Sequence, residues 1–279
     1  MPTTKELLIE ELLCQHNCTP AQKDIILVVR DQYNYVKKCV ETVLDNTKDF
    51  TLYVWDNGSR PETADYLTDL PNYYKNIKVR RSEENLGFIL PNNILAAETT
   101  APYLILLNSD TEVGEGWSEA LVGYLQAHED VAAVGYEGGM LSRKGMGVLP
   151  WKGPEVDYVM GWCMAVPRKA YLDLGLFDQE NLEFAYCEDA DYCLRARERG
   201  WTVYALNVTF VRHFGNVTTK TVGRERNLRT NFVRNHEYLR KRHSKYLATA
   251  RTLLRYQDVE HAIDADGSTP ERVAEILGK

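Results

Sequence analysis

An α/β protein built on a mostly parallel sheet is the fold this sequence predicts, on three observations. An apolar strand, Tyr103-Leu104-Ile105-Leu106-Leu107, runs straight into the acidic turn Asn108-Ser109-Asp110-Thr111. Before it, three further apolar runs alternate with segments of helical spacing. Each run ends in a polar turn, and right-handed crossovers bring the ends of parallel strands to one edge of the sheet. A carboxylate at that edge sits where open α/β sheets bind their ligands. Taken alone, Asn-Ser-Asp is equally a plain turn.

The elements follow in order. Residues 1–22 read as a short N-terminal helical extension closed by a Cys-Thr-Pro turn. Asp24 to Val29 is a buried strand by its length and β-branched content. Tyr35 to Leu44 places Tyr35, Val36, Cys39, Val40, Val43 and Leu44 on one helical face. Thr51 to Trp55 is the second strand, ending at Asp56-Asn57-Gly58-Ser59. Pro61 opens a helix to about Leu70. Ile77 to Arg80 is the third strand, followed by Glu84-Asn85-Leu86-Gly87-Phe88. A helix from Pro91 to Thr99 then leads into the strand at 103–107.

Beyond Val131-Ala132-Ala133-Val134 the pattern changes. Two Gly-rich turns, Gly138-Gly139 and Gly145-Met146-Gly147, bracket a segment before Tyr158 to Val166, a strand broken at Gly161. Leu174 to Asp178 is a loop. Glu188 to Arg199 is a helix with acids at its start and arginines at its end, which suits the helix dipole, and Gly200 stops it. Strands at 201–206 and 208–211 lead to His213-Phe214-Gly215, and helices run from about Arg224 onward.

Composition excludes several classes. Hydrophobic residues make up 44% and charged residues 26%, which is ordinary for a folded globular chain and not for a disordered one. No apolar run approaches the roughly 20 residues of a membrane helix. The start lacks the basic flank and cleavage site of a signal peptide, so the expected location is the cytoplasm. The six cysteines form no Cys-x-x-Cys pair, so neither zinc nor a disulfide framework is indicated. Net charge is −7, yet Lys220 to Arg255 holds eleven Lys and Arg against two acids, +9, leaving −16 for the rest. A basic segment of this kind is usually a solvated helix face. The sharper reading is contact with an anionic acceptor, with nucleic acid, or with the inner face of a membrane as a peripheral protein.

Chemistry-bearing side chains fall at element ends: Asp110, Glu188 with Asp189, and His213. One carboxylate and one imidazole make a thin protein shell, which suits a divalent cation completed by waters and substrate phosphates. Each has an ordinary reading beside this one. His213 alone is a hydrogen-bonded loop histidine, and Glu188-Asp189 is a helix N-terminus compensating its dipole.

Taken together, Asp56-Asn57-Gly58-Ser59, Asn85-Leu86-Gly87-Phe88, Asn92-Asn93, Asn108-Ser109-Asp110, Gly161-Trp162-Cys163-Met164, Gly175-Leu176-Phe177-Asp178, Glu188-Asp189-Ala190-Asp191 and His213 resemble family 2 of the nucleotide-sugar glycosyltransferases. They resemble most its rhamnosyl- and hexosyltransferase-like members. The likeness covers about residues 24–218. It implies a GT-A fold over residues 23–219, with the basic helical segment 220–279 appended. The implied activity is inverting transfer of a sugar from a nucleoside diphosphate sugar (UDP, dTDP or GDP type) to a hydroxyl of a glycan, lipid-linked or other anionic acceptor. Asp110 and His213 then match the positions that hold Mn²⁺ or Mg²⁺. Asp56 matches a nucleoside contact. Asn85, Gly87, Asn92 and Asn108 match donor-binding positions. Asp189 matches the general base, with Glu188 in reserve.

Trp162 and Trp151 offer apolar platforms for an acceptor sugar, or else pack in the core. Where the family usually has Thr-Tyr-Asn, this chain reads Val29-Arg30-Asp31, so Arg30 is read as a phosphate or base contact. Two other classes of protein are compatible with such a half-sheet. A sugar-nucleotide nucleotidyltransferase needs a Gly-rich loop after the first strand, and Arg30-Asp31-Gln32-Tyr33-Asn34 has no glycine. A catalytically silent sugar- or nucleotide-binding module has no need of both Asp110 and Asp189.

Overall fold

In the computed structural model, residues 22–141, 148–149, 154–206, 210–215 and 228–253 are described. The expected helix at the N-terminus, Cys14, Cys18 and Trp151 lie outside them.

Seven strands form the central sheet. β1 (Lys23–Val29) is central and pairs parallel with β2 (Phe50–Asn57) and with β4 (Tyr103–Asn108). β3 (Ile77–Ser82) extends it beyond β2, again parallel. The helices α1 (Tyr33–Asn46), α2 (Pro61–Tyr73) and α3 (Ile89–Glu98) are the crossovers. A crossover of a dozen or more residues, usually helical, is what parallel pairing requires. Register then decides what meets at the carboxyl edge: Val29 lies opposite Asp56, Val28 opposite Asn108, and Asp56 opposite Arg81.

Past β4 the chain makes β5 (Thr111–Val113), α4 (Trp117–Ala127), β6 (Val131–Gly135), β7 (Gly138–Leu141), β8 (Val148–Leu149) and β9 (Tyr158–Val159). β10 (Cys163–Pro167) then enters the main sheet antiparallel between β4 and β6. Its reversed direction delivers its leading residues, Gly161 and Trp162, to the same edge as the ends of the parallel strands. The single strand expected at 158–166 is therefore two. β9 pairs with β7 outside the main sheet, and the break at Gly161 is where the chain changes sheets.

The rest is α5 (Arg168–Leu174), α6 (Glu188–Glu198), β11 (Thr202–Ala205), β12 (Val211–His213), α7 (Leu228–Arg242) and α8 (Ser244–Leu253). β12 pairs with β5, His213 facing Thr111, so the strand expected to end at residue 211 instead starts there. α4 was not anticipated, although Trp117, Leu121 and Leu125 recur at its period and are buried.

Alternation along the strands feeds two cores. Ile25, Leu27, Ile105 and Leu107 pack on one face with α1, α2 and α4. Ile26, Leu104, Leu106, Met164 and Val166 pack on the other with α3, α5 and α6, and with Leu239 and Leu247 of the last two helices. Each fully buried aliphatic side chain contributes about 1.5–3 kcal/mol. α7 and α8 thus dock on the sheet face that also carries α6. Among the described residues, no helix is long and apolar enough to cross a membrane.

Candidate functional site

The donor motifs form one interlocked turn. Asn57 ends β2, is buried, and donates from Nδ2 to Asn85 Oδ1 at 2.8 Å and to the Gly87 carbonyl at 2.7 Å. Its Oδ1 accepts from the Leu86 amide at 2.7 Å. Asn85 Oδ1 also accepts from the Gly87 amide, so Asn85 shapes the turn from inside. Gly87 has φ 84°, and a Cβ there would lie 2.5 Å from the Phe184 carbonyl oxygen, so only glycine fits. Asn92 is buried on α3 and donates to the Phe88 carbonyl one turn back.

Asp56 is buried at the level of Arg81. One carboxylate oxygen accepts from the Ser59 amide at 2.9 Å, and the other forms a close ion pair with the Arg81 guanidinium. Arg81 is a partner that the sequence reading missed. Arg30 donates to the Asn57 and Gly58 carbonyls, so its guanidinium braces the turn after β2.

Asp110 and His213 come together across the β5–β12 pair. His213 Nε2 lies 3.2 Å from Asp110 Oδ1, and this buried nitrogen has no hydrogen-bond partner among the described residues. Two adjacent ligands of an octahedral cation with bonds of about 2.1 Å stand roughly 3.0 Å apart. A carboxylate and an orphaned imidazole nitrogen at this separation fit such an ion. No cluster of three or more His, Cys, Asp or Glu side chains occurs among the described residues. The Trp162 ring stacks on the His213 ring, centroids 4.9 Å apart, and its Nε1 donates to Glu137 Oε2 at 3.1 Å. Trp162 is 8% exposed and backs the histidine.

A short chain of backbone contacts joins this pair to the acidic helix start. The Asn108 amide donates to the Trp162 carbonyl at 2.8 Å. Next to Trp162, the Gly161 amide donates to Asp189 Oδ2 at 2.9 Å. A Cβ on Gly161 would sit 3.3 Å from the Asp189 Cβ, so glycine permits this approach. The other Asp189 oxygen accepts from the Ala190 amide at 2.7 Å. Asp110, His213, Asn108, Trp162 and Asp189 are therefore one connected group.

Burial raises the carboxyls of both Glu188 and Asp189 above the ordinary carboxylate range, and the Asp189 charge raises Glu188 further. Two amides donate to Asp189; backbone amides also hold Glu188, but its Oε2 is buried with no hydrogen-bond partner among the described residues. Asp189 is thus the one that keeps its negative charge, and Glu188 holds a proton more readily.

The segment before α6 was not readable from the sequence. Phe184, Tyr186 and Cys187 all have positive φ, at 62°, 78° and 70°. Non-glycine residues in this region cost about 1–3 kcal/mol each, and such strain persists only where surrounding structure holds it. The Phe184 carbonyl accepts from the Phe88 amide at 2.6 Å, so this loop also touches the donor turn.

A mostly parallel sheet flanked by helices, with polar turns gathered at its carboxyl edge, defines the GT-A class of fold. The sequence pattern of glycosyl transferase family 2 matches residues 24–167, and that of glycosyltransferase like family 2 matches residues 152–232. The chain belongs to glycosyl transferase family 2.

Among curated proteins, it is 23% identical over 139 residues to an uncharacterized glycosyltransferase of Haemophilus influenzae, covering 47% of this chain and 43% of that one. It is 29% identical over 104 residues to a teichoic acid poly(glycerol phosphate) polymerase of Staphylococcus epidermidis, covering 37% of this chain and 14% of that one. The match thus spans less than half the length of either relative. Among solved structures, it is similar to GalNAc-T7 with UDP, GalNAc and Mn²⁺, at TM-score 0.63 and 15% identity, over 92% of this chain and 56% of that one. It is also similar to the mannosyltransferase PcManGT of Pyrobaculum calidifontis with GDP-Man and Mn²⁺, at TM-score 0.57 and 16% identity, over 98% and 86%. At such identities the likeness is one of fold.

Proposed function

We propose that this chain transfers a sugar from a nucleoside diphosphate sugar to an acceptor hydroxyl with inversion at the anomeric carbon. The observation that carries this reading is the continuous link from the Asp110–His213 pair, through Asn108 and Trp162, to Asp189. A carboxylate–imidazole pair and a second carboxylate linked in this way support a cation site and a base serving one reaction.

Asp110 and His213 are the residues to hold Mn²⁺ or Mg²⁺, with phosphate oxygens and waters as the other ligands. Bound there, the ion supplies positive charge against the leaving diphosphate. Asp56 and the turn at Asn85 to Phe88 position the nucleoside and phosphates. Structural neighbours solved with UDP and with GDP-Man support a nucleotide-sugar donor. Asp189 accepts the proton of the acceptor hydroxyl as its oxygen bonds to the anomeric carbon and the bond to the diphosphate breaks. Direct attack from the far side inverts the centre. Glu188, protonated beside it, leaves the pair with a single negative charge. A hexosyl or deoxyhexosyl unit is the donor sugar we propose. The acceptor approaches from the side of α7, where the basic segment favours an anionic one.

Asp189→Asn should keep nucleoside diphosphate binding and lower turnover by about 10²–10⁴-fold, the usual contribution of a positioned base. Full turnover in that variant removes Asp189 as base. Thermal melting tests the donor side. A nucleoside diphosphate should raise the melting temperature only with Mn²⁺ or Mg²⁺ present, and Asp110→Asn should abolish that rise. A metal-independent rise in both proteins refutes the ion site.

A further inference from the structure

We infer that Asn235, on α7, is a positioning residue for catalysis: it locks the left-handed loop that aims Asp189. The inference rests on the proposed transfer reaction. Asn235 is fully buried. Its Nδ2 lies 2.8 Å from the Glu183 carbonyl, 2.9 Å from that of Ala185 and 3.0 Å from that of Tyr186. Two N–H bonds are shared among three carbonyls, as bifurcated bonds allow. Its Oδ1 accepts from the Glu183 amide at 3.1 Å. One side chain thus satisfies four backbone groups of a segment that is neither helix nor strand.

That segment needs an external clamp. Three of the four residues from Phe184 to Cys187 are non-glycines in the left-handed region. Such a conformation relaxes toward ordinary backbone unless other contacts over-determine it. Glu188 and Asp189 follow directly as the first turn of α6. Any relaxation of the loop swings that turn. α7 adds two weaker contacts to the same loop: Arg234 pairs with Glu183, and the Phe232 ring meets the Tyr186 ring edge-on at 5.7 Å.

The donor turn has its own clamp in Asn57, so the two asparagines divide the site. An asparagine that merely docked α7 would have no reason to bond only to this loop. α7 is docked independently by the buried Leu239.

The test compares Asn235→Ala, Asn235→Asp and Leu239→Ala in the full chain. Asn235→Ala should lower kcat by about 100-fold, the scale of a 1 Å misplacement of a reacting group, with donor KM within about threefold. Asn235→Asp keeps the volume and the bond to the Glu183 amide but sets a carboxylate against three carbonyls, and should lose a similar factor. Leu239→Ala thins the packing of α7 one turn from Asn235 and leaves the Asn235 amide in place; it should lower the melting temperature and reduce kcat far less than Asn235→Ala does. A Leu239→Ala loss of kcat as large as that of Asn235→Ala, or an Asn235→Asp variant with wild-type kcat, overturns the inference.

Hydrogen exchange reads the clamp without turnover. Amides 183–189 should exchange faster in Asn235→Asp while those of α7 stay protected, and unchanged exchange there overturns the inference even if the alanine variant does not fold. A wild-type protein that transfers no sugar overturns the reaction instead, and leaves the exchange result standing.

Discussion

The donor half of the site, from β1 to Asp110, and the base half, from Gly161 to α8, are held in different ways. In the half proposed to hold the donor, the site residues end a strand or lie in the turn after it, apart from Asn92 on α3. Parallel register alone then sets Val29, Asp56 and Asn108 side by side. Its clamps are short in sequence: Asn57 reaches residues 28 to 30 positions away. The base half is held by side chains reaching much further. Asn235 bonds to residues 49 to 52 positions away, and His243 to Asp191 and Glu198 at 52 and 45. Strand topology thus builds one wall of the site, and C-terminal side chains hold the other.

Three perturbations would break or sharpen this contrast. The largest effect belongs to His243. Its ring is buried, with Nε2 2.9 Å from Asp191 Oδ1 and Nδ1 2.9 Å from Glu198 Oε1, and it pins α8 to α6. His243→Ala should cost about 2–4 kcal/mol of stability in a denaturant titration, by emptying a buried site and removing one hydrogen bond each from Asp191 and Glu198, which keep Arg195 and Arg242 as partners. The same titration on a nucleotide-saturated sample should show donor affinity intact. Loss of nucleotide binding in step with stability would erase the distinction between the halves.

Asn57→Ala attacks the other wall. It should weaken nucleoside diphosphate binding about tenfold by calorimetry, roughly one to two net hydrogen bonds, while kcat at saturating donor changes less. A fall in kcat without a fall in affinity would contradict the division of labour between the two asparagines.

The smallest effect comes from Glu188 and depends on pH. Its folded carboxyl is raised above the ordinary 4.5 by burial and by the Asp189 charge. A group raised in the folded state favours folding below its unfolded value and loses that contribution as pH rises through its folded value. Glu188→Gln should therefore raise the melting temperature by a few degrees at about pH 9 and leave it unchanged at about pH 4. A gain of equal size at both pH values would mean that Glu188 carries no such shift.

Much of this was legible in the chain, and the reasons are local. Apolar β-branched runs bounded by Asn, Asp and Gly mark strands whichever sheet they join. The acidic start and arginine-rich end of 188–199 mark a helix by its dipole. Trp162 and Arg30 were ambiguous because the same residue types serve binding and packing equally. Only the structure shows that Trp162 stacks on His213 and that the Arg30 guanidinium meets the Asn57 and Gly58 carbonyls. Asn235 and His243 did leave a trace. They fall on the buried stripe 235, 239, 243, 247 of the last two helices, where a polar side chain needs a partner. The stripe signals that a partner exists and not which one.

By itself, then, the sequence determined the parallel half-sheet, the edge at which its turns gather, and the placement of Asp56, Asp110, Asp189 and His213 at the ends of elements. These follow from periodicity and chirality, which act over a few residues at a time. Tertiary structure decided that β10 runs antiparallel and brings Gly161 to Asp189, that His213 Nε2 comes within 3.2 Å of Asp110, and that Asn235 holds a left-handed loop. Those contacts join residues from 28 to more than 100 positions apart. No local pattern encodes them, because their stability comes from groups that meet only once the sheet and its helices have packed.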